Sequence, residues 1–208
     1  FLVRMTLGPA VMKLLGARAW WLPTSLDRAL PVMDVEGEAL AHQLALADWP
    51  EPGSTASIAL ADAATDPASP RVLPQLTASV EPGGVLVVAG DPTAREAAVY
   101  ALTGRLPLTA GRAKVLGLVL PQEAAQLRRR AHLVDADALR QGRVGRPGDL
   151  VAVPDAASLP ADAVDALRAL VSDAEGRTFV LGVASPDAAP RLGVHPTVLR
   201  LDQRPQQT

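Results

Sequence analysis

Three stretches of this chain are almost continuously apolar and are bounded by turn-forming residues. They cover residues 85–89, 150–153 and 178–183. Runs of this kind are typical of central parallel strands that are covered on both faces. Shorter apolar or alternating stretches predict further strands at residues 57–61, 75–80, 114–116, 133–135 and 197–201. The pattern therefore predicts an α/β domain with a mostly parallel sheet and flanking helices.

Helical periodicity fills the intervals between these strands. It predicts helices over residues 94–103, 122–130 and 161–172. Pro121 and Pro160 stand just before or at the first turn of the last two helices, where proline is favoured. Thr93 and Glu96 have the spacing of a capping box for the first helix, and Gly104 has the position of its C-terminal stop.

The segment from residue 83 to residue 97 has the layout of a phosphate-binding strand, loop and helix. A working P-loop, GxxxxGK[ST], needs its second glycine for backbone approach to the phosphates, a lysine for the β and γ oxygens, and a hydroxyl for Mg²⁺. Counted from Gly90, those three positions hold Arg95, Glu96 and Ala97. Glu96 would repel the phosphates that a lysine attracts. The segment therefore predicts the fold and argues against ATP hydrolysis.

A family resemblance appears when this segment is taken together with the residues that follow it. Residues 54–201 resemble the nucleotide-binding domain of ABC transporters, and the run ALTGRLPLTAGRAKVLG at residues 101–117 carries the closest likeness. The resemblance implies a P-loop-NTPase-like fold, here without the helical subdomain, because residues 104–149 leave no room for it. No aromatic residue stands before Gly83 within the domain to stack on an adenine.

The same resemblance identifies the positions that would carry catalysis. It places Pro154 at the Mg²⁺-binding aspartate of the Walker B strand and Asp155 at the catalytic glutamate. It places Pro186 at the switch histidine. Proline cannot coordinate a metal or transfer a proton, so we expect no nucleotide or metal cofactor and no ATPase activity.

The first forty residues have a different character. They begin FLVRMTLGPAVMKLLGARAWWLP, in which apolar residues lead to cations and a tryptophan pair, as at the cytoplasmic end of a transmembrane helix. The interface residues would be Arg4, Lys13, Arg18, Trp20 and Trp21. The segment is too short and too charged to span a bilayer alone, since about 20 apolar residues are needed. We therefore expect a piece of a longer protein; the alternative is a buried amphipathic helix of a soluble protein.

This run is similar to the end of the last transmembrane helix in MMPL transporters of the RND superfamily, whose actinobacterial members often close with such a sequence. The resemblance implies proton-driven export of lipids, drugs or other hydrophobic compounds, with the proton-relay residues upstream. It implies an inner-membrane location with residues 23–208 in the cytoplasm. The implied partners are the upstream transmembrane domain of the same protein and membrane lipid, and a homo-oligomer formed through the transporter stays open.

The two resemblances divide the chain into four parts. We expect residues 1–22 to end a transmembrane helix, 23–53 to form an amphipathic juxtamembrane linker, 54–202 to form the degenerate ABC-like domain, and 203–208 to be a disordered tail.

Composition limits the possible partners and chemistry. With 49% hydrophobic residues, the 208-residue chain can build one good core. A net charge of −2 argues against nucleic acid as a partner. The lack of cysteine excludes disulfides, Cys-ligated zinc and thiol catalysis.

Two further sets of residues are weak candidates. His42, His132 and His195 each stand without a ligand-spaced neighbour, which favours a surface or packing role over metal binding. The densest basic cluster comprises Arg128, Arg129, Arg130, Arg140, Arg143 and Arg146. It is either a solvated helix end, favoured by the helix dipole, or a patch for anionic lipid headgroups or for cytoplasmic loops of the transporter.

Three functions remain open from the sequence. The first is a catalytically inactive, ABC-like cytoplasmic tail that scaffolds or regulates an MMPL-type exporter. The second is a nucleotide-sensing module that binds ATP or ADP without hydrolysis through Gly90 and the N–H groups that follow it. The third is a different small α/β enzyme, for which no strand end offers an acid, a base and a nucleophile together.

Overall fold

The computed structural model describes residues 44–46, 48–69, 71–190 and 192–201. The expected transmembrane end with Arg4, Lys13, Arg18, Trp20 and Trp21, most of the linker, His42 and the tail from residue 203 lie outside the described residues. In the part that is described, no helix has both the length and the apolar character needed to cross a membrane.

The domain alternates strands and helices along the chain. Its nine strands among the described residues are β1 (Ile58–Ala64), β2 (Leu76–Val80), β3 (Val85–Ala89), β4 (Ala110–Val115), β5 (Leu118–Leu120), β6 (Ala131–Leu133), β7 (Leu150–Val153), β8 (Thr178–Val183) and β9 (Thr197–Arg200). The helices are α1 (Pro92–Leu102), α2 (Ala124–Arg130), α3 (Ala136–Arg140) and α4 (Ala161–Ser172), with 3₁₀ turns at Ala156–Ser158 and Pro186–Ala188.

The strands form two sheets. The first is antiparallel, with the order β2-β1-β4-β5. The second is wholly parallel, with the order β6-β7-β8-β3-β9. In the parallel sheet every residue of β3, β7 and β8 is buried, which confirms that the three apolar runs are central strands. The predicted α/β class with a parallel sheet and flanking helices is confirmed.

The parallel sheet separates two hydrophobic cores. Leu86 and Val88 of β3 face the first core, which they share with α1, α2 and the antiparallel sheet. Val85 and Val87 of the same strand face the second core, which α3 and α4 cover. Because successive strand residues point to opposite faces, one central strand serves both cores. This layering fixes α1 on the first face, with its N-terminus at the carboxyl end of β3.

Four elements have the bounds that the sequence pattern predicts, several others are shifted by one to four residues, and helix α3 and strand β5 were not predicted. Residues 85–89, 150–153, 178–183 and 161–172 have the predicted bounds. Strand β5 is not among the predicted strands, because the turn before it is unusual. Leu116 and Gly117 both have positive φ angles, 51° and 77°, as a two-residue hairpin turn of type I′ requires. Asn-Gly normally announces such a turn, and leucine at its first position conceals it.

The end of the expected linker packs on the antiparallel sheet. Leu46 is only 3% exposed, and Lys114 Nζ donates to the carbonyls of Leu46 and Trp49, each at 3.1 Å. The guanidinium carbon of Arg112 lies over the Trp49 ring, 5.2 Å from the ring centroid. Contacts with the domain therefore begin before residue 54, the boundary expected from sequence.

Candidate functional site: the loop between β3 and α1

The loop that corresponds to the P-loop is only two residues long. Gly90 follows β3 with a φ of 148°, a backbone conformation that favours glycine, and its N–H donates to Val183 O at 3.2 Å. Helix α1 then begins at Pro92. Four positions that would form the phosphate cradle, residues 92–95, are therefore helical. The backbone lacks the wide loop that surrounds phosphates in a working P-loop.

Asp91 caps this helix with its own carboxylate. Its Oδ1 accepts hydrogen bonds from the N–H groups of Thr93, at 2.9 Å, and Ala94, at 3.3 Å. The capping box predicted from Thr93 and Glu96 is wrong, because Asp91 is the N-cap and Pro92 is the first helical residue. Free N–H groups at a helix N-terminus bind anions. Here an internal anion already accepts from two of them.

Glu96 and Ala97, at the lysine and hydroxyl positions, have structural roles. Glu96 Oε1 lies 3.4 Å from Arg71 Nη2, and the same guanidinium stacks over the Tyr100 ring at 5.1 Å. Ala97 is fully buried in the first core. A hydroxyl at position 97 would face that core rather than a metal ion beside Gly90.

The structure brings Arg95 and Pro154 together over β8. A Cβ added at Gly182 would overlap the carbonyl oxygen of Pro154 and would stand 3.0 Å from Cδ of Arg95. Two positions that sequence reasoning placed in separate motifs thus meet at one glycine. Their contact is steric, since backbone and an aliphatic stem occupy the space, and it offers no acid, base or metal ligand.

Asp155 and Pro186 follow the neighbouring parallel strands. Asp155 is exposed and precedes a 3₁₀ turn, with its carbonyl accepting from Ser158 Oγ at 3.0 Å. Pro186 begins the second 3₁₀ turn and lines a cleft of about 410 Å³ together with Val85, Val87 and Leu192. This cleft is on the second-core side of β3, so Pro186 does not join Arg95 and Pro154.

Sequence reasoning missed that the carboxyl edge of the parallel sheet is acidic. Because the strands are parallel, the residues that follow them meet at this edge. An exposed aspartate follows each of four strands: Asp91 after β3, Asp135 after β6, Asp155 after β7 and Asp187 after β8. The signal was available as an aspartate two to four residues after each apolar run. In the described ranges, no three His, Cys, Asp or Glu side chains are placed to hold a metal ion.

Asp149 organises the opposite, amino-terminal edge. Its Oδ2 accepts from Arg146 N at 2.9 Å and lies 3.1 Å from His132 Nε2. Its Oδ1 lies 3.5 Å from Arg130 Nε. Burial pushes the pKa of Asp149 upward, but the hydrogen bonds from Arg146 and His132 and the charges of His132 and Arg130 outweigh it, so this pKa is lowered. His132 therefore has a structural partner that the sequence did not reveal.

The arginines of the basic cluster separate into two places. Arg140 belongs to α3 and binds Asp162 and Asp137 at 2.7 Å and 2.6 Å. Arg128 donates a hydrogen bond to the backbone carbonyl of Gly104, and Arg130 donates one to that of Gly148. The arginines expected to form one cluster therefore form two groups. One is the paired Arg140 on α3, and the other is a basic group at the amino-terminal edge of the sheet.

Comparisons with known proteins give a fold likeness and a short sequence match. No protein-family model matches the chain. Over 44 residues the chain is 52% identical to Membrane protein YdfJ of Bacillus subtilis (strain 168); the match covers 21% of this chain, which spans only 6% of that relative's length.

Among solved structures, the chain is similar to several ATP-binding cassettes. A dimeric post-hydrolysis state of MJ0796 bound to ADP and Pi shares 10% identity at a TM-score of 0.49, over 70% of this chain and 97% of the other. The structure of cbiO1 from Clostridium perfringens, part of the ABC transporter complex cbiONQ, shares 11% identity at a TM-score of 0.47, over 64% of this chain and 80% of the other. An ATP-binding subunit of an ABC transporter shares 12% identity at a TM-score of 0.46, over 62% of this chain and 79% of the other.

Proposed function

We propose that this chain is part of a proton-driven exporter of the MMPL type, and that its P-loop-like domain is a scaffold or regulator without ATPase activity. The observation that carries the second half of the proposal is the geometry of the β3–α1 loop. Helix α1 begins at Pro92, and the Asp91 carboxylate accepts from the N–H groups of Thr93 and Ala94.

Electrostatics at the carboxyl edge support the loss of nucleotide binding. In a P-loop fold the phosphates of a bound nucleotide lie at the N-terminus of the helix that follows the P-loop, which corresponds to α1 here. Here that place is lined by exposed Asp91, and further aspartates follow the neighbouring strands. Like charges repel, and the cation and Mg²⁺ ligand that would offset the repulsion are replaced by Glu96 and Ala97. Both geometry and charge therefore disfavour ATP.

Calorimetry of the 208-residue chain with Mg-ATP and with ADP tests this half of the proposal. We expect no binding heat and no change in unfolding temperature at millimolar nucleotide. The matched variant Asp91→Asn keeps a capping oxygen and removes the charge; we expect no binding there either, because residues 92–95 stay helical. Saturable binding by the native chain would overturn the proposal and support the alternative, a domain that senses ATP or ADP without hydrolysis.

The exporter half rests on the first forty residues and on the relative. Their apolar, cationic and tryptophan pattern resembles the end of an MMPL transmembrane helix, and the chain matches a membrane protein over 44 residues at 52% identity. The transported compound would pass through parts of the protein outside this sequence. In this arrangement the domain lies in the cytoplasm, attached to its own membrane domain and close to lipid.

Truncation in cells tests the exporter half. The intact protein and a version ending at residue 53 are expressed, and their membrane fractions are washed with carbonate. We expect both to stay in the membrane, and we expect any export they support to stop when the proton gradient is dissipated. Release of the intact protein by carbonate would contradict membrane integration, and export that follows cellular ATP instead of the proton gradient would contradict the mechanism.

A further inference from the structure

The amino-terminal edge of the parallel sheet gathers arginines from three chain segments. We call this set the arginine edge; it comprises Arg105, Arg128, Arg129, Arg130 and Arg146. Hydrogen bonds hold the segments together: Arg105 donates to Ala131 O at 3.2 and 3.3 Å, and Arg128 to Gly104 O at 2.8 Å. Arg130 donates to Gly148 O at 3.0 Å.

The positive charge of the arginine edge is poorly compensated. Among the described residues, Asp149 is the carboxylate that forms an ion pair with this set, and it is shared between Arg130 and His132. Arg105 and Arg128 donate to backbone carbonyls, which carry no net charge. Burial, and then the charge of Arg128, lower the pKa of Arg105. Like charges are therefore held side by side.

Two guanidinium groups of the arginine edge are available to an external partner. Arg129 and Arg146 are exposed, and their side chains form no ion pair within the described part of the chain. Guanidinium groups bind phosphate oxygens through paired N–H donors, and they do so better than a single ammonium. Because Arg129 comes from α2 and Arg146 from the loop after α3, they present two separate contacts along the edge.

We propose that the arginine edge binds the phosphate-bearing headgroups of anionic lipids and so holds the domain against the membrane. The proposal rests on the membrane attachment proposed above. Nucleic acid fits less well, because single strands bind by stacking on aromatic rings. Of the described aromatic residues, Phe179 is fully buried, and Tyr100 and Trp49 lie beneath Arg71 and Arg112.

Vesicle sedimentation with the 208-residue chain tests the proposal. Neutral phosphatidylcholine vesicles report attachment through the apolar first segment, and vesicles that also contain phosphatidylserine report the added anionic contribution. The variant Arg129→Glu/Arg146→Glu is compared with Arg168→Glu/Arg200→Glu, which changes the net charge equally outside the arginine edge. Each arginine near an anionic surface contributes about fivefold in affinity, so we expect the first variant to lose about twentyfold or more of the anionic contribution. The control variant should retain most of it.

The outcomes separate this inference from the function on which it rests. Equal losses in both variants would show a nonspecific charge effect and overturn the inference, while binding to neutral vesicles would leave the proposed attachment intact. Loss of neutral binding alone would count against the attachment and not against the arginine edge. Inorganic phosphate serves as the soluble probe: if it stabilised the native chain through Arg129 and Arg146 while vesicles did not bind, the source would be a free anion and the lipid assignment would be wrong.

Discussion

At the residue scale, the Asp91 carboxylate has two effects. It caps helix α1, and it accepts hydrogen bonds from N–H groups that a bound anion would otherwise need. Replacing Asp91 by alanine should lower the free energy of unfolding by about 1 kcal/mol, the usual effect of losing an N-cap. Urea denaturation measures it. Asp187→Ala is the matched control, since Asp187 is exposed and also follows a parallel strand, but Ser185 rather than Asp187 is the cap residue there. Equal losses in the two variants would contradict the capping role.

Gly182 provides the second prediction at this scale. An alanine Cβ would collide with the carbonyl oxygen of Pro154, and backbone cannot rotate away as a side chain can. We expect Gly182→Ala to lower the free energy of unfolding by about 3 kcal/mol, the upper part of the range for overpacking. At Gly142 the space is open but φ is 65°, so Gly142→Ala should lower it by only about 1–2 kcal/mol. A smaller effect at Gly182 than at Gly142, measured by urea denaturation, would refute the close approach.

At the element scale, the helices and strands differ in how well the sequence encoded them. Central strands were predictable because burial on both faces leaves an uninterrupted apolar run. The start of α1 was predicted wrongly, because both Asp91 and Thr93 favour the cap position and Thr93 with Glu96 has the spacing of a capping box. Pro92 decides between them: proline is preferred as the first helical residue, which makes Asp91 the cap. Strand β5 was hidden because leucine occupies a turn position with positive φ.

The sequence was enough to find the substituted positions of the candidate site. It was not enough to predict which residues contact one another there. The motif and the family resemblance assign Arg95, Glu96, Ala97, Pro154 and Pro186 to the positions of groups that a nucleotide needs. Pairings such as Glu96 with Arg71, or His132 with Asp149, join residues distant in sequence and depend on how the two sheets and the loops pack. The loss of activity that these substitutions suggest stays a prediction.

Asp149 joins the loop before β7 to strand β6 and helix α2, and it makes stability depend on pH. Its pKa in the folded protein lies below the ordinary value of 3.8. Its stabilising contribution is therefore complete above pH 3.8 and is lost as the pH falls through the lower, folded-state value. Asp149→Asn should unfold at lower urea at pH 7 and show a flatter decline in acid. An acid-unfolding profile identical to that of the native chain would contradict the assigned hydrogen bonds and charge contacts.

At the scale of the whole molecule, the two cores share the parallel sheet and should unfold together. Leu167 of α4 lies fully buried in the second core. Replacing it by alanine should lower the free energy of unfolding by about 2–5 kcal/mol. Hydrogen exchange should then accelerate equally for amides of β7 and of β1, although β1 belongs to the other sheet and contacts only the first core. Faster exchange confined to β7 and α4 would show that the cores open separately.

The two ends of the parallel sheet carry charges of opposite sign. Exposed aspartates lie at its carboxyl edge, and the arginine edge lies at the other end of its strands. A net charge of −2 conceals this separation, because charges of opposite sign cancel in the sum. This separation predicts that a negatively charged surface would attract the arginine edge more strongly than the carboxyl edge.

The two-residue loop at Gly90 and Asp91 constrains which evolutionary changes could give this domain a phosphate site. Point substitutions that introduce the glycine, lysine and serine of a working P-loop at positions 95, 96 and 97 would place all three on a helix that has already begun at Pro92. The connection after β3 would have to lengthen as well, by an insertion or by the unwinding of a helical turn. A phosphate site at this position would therefore require a change in the length of the connection together with the three substitutions.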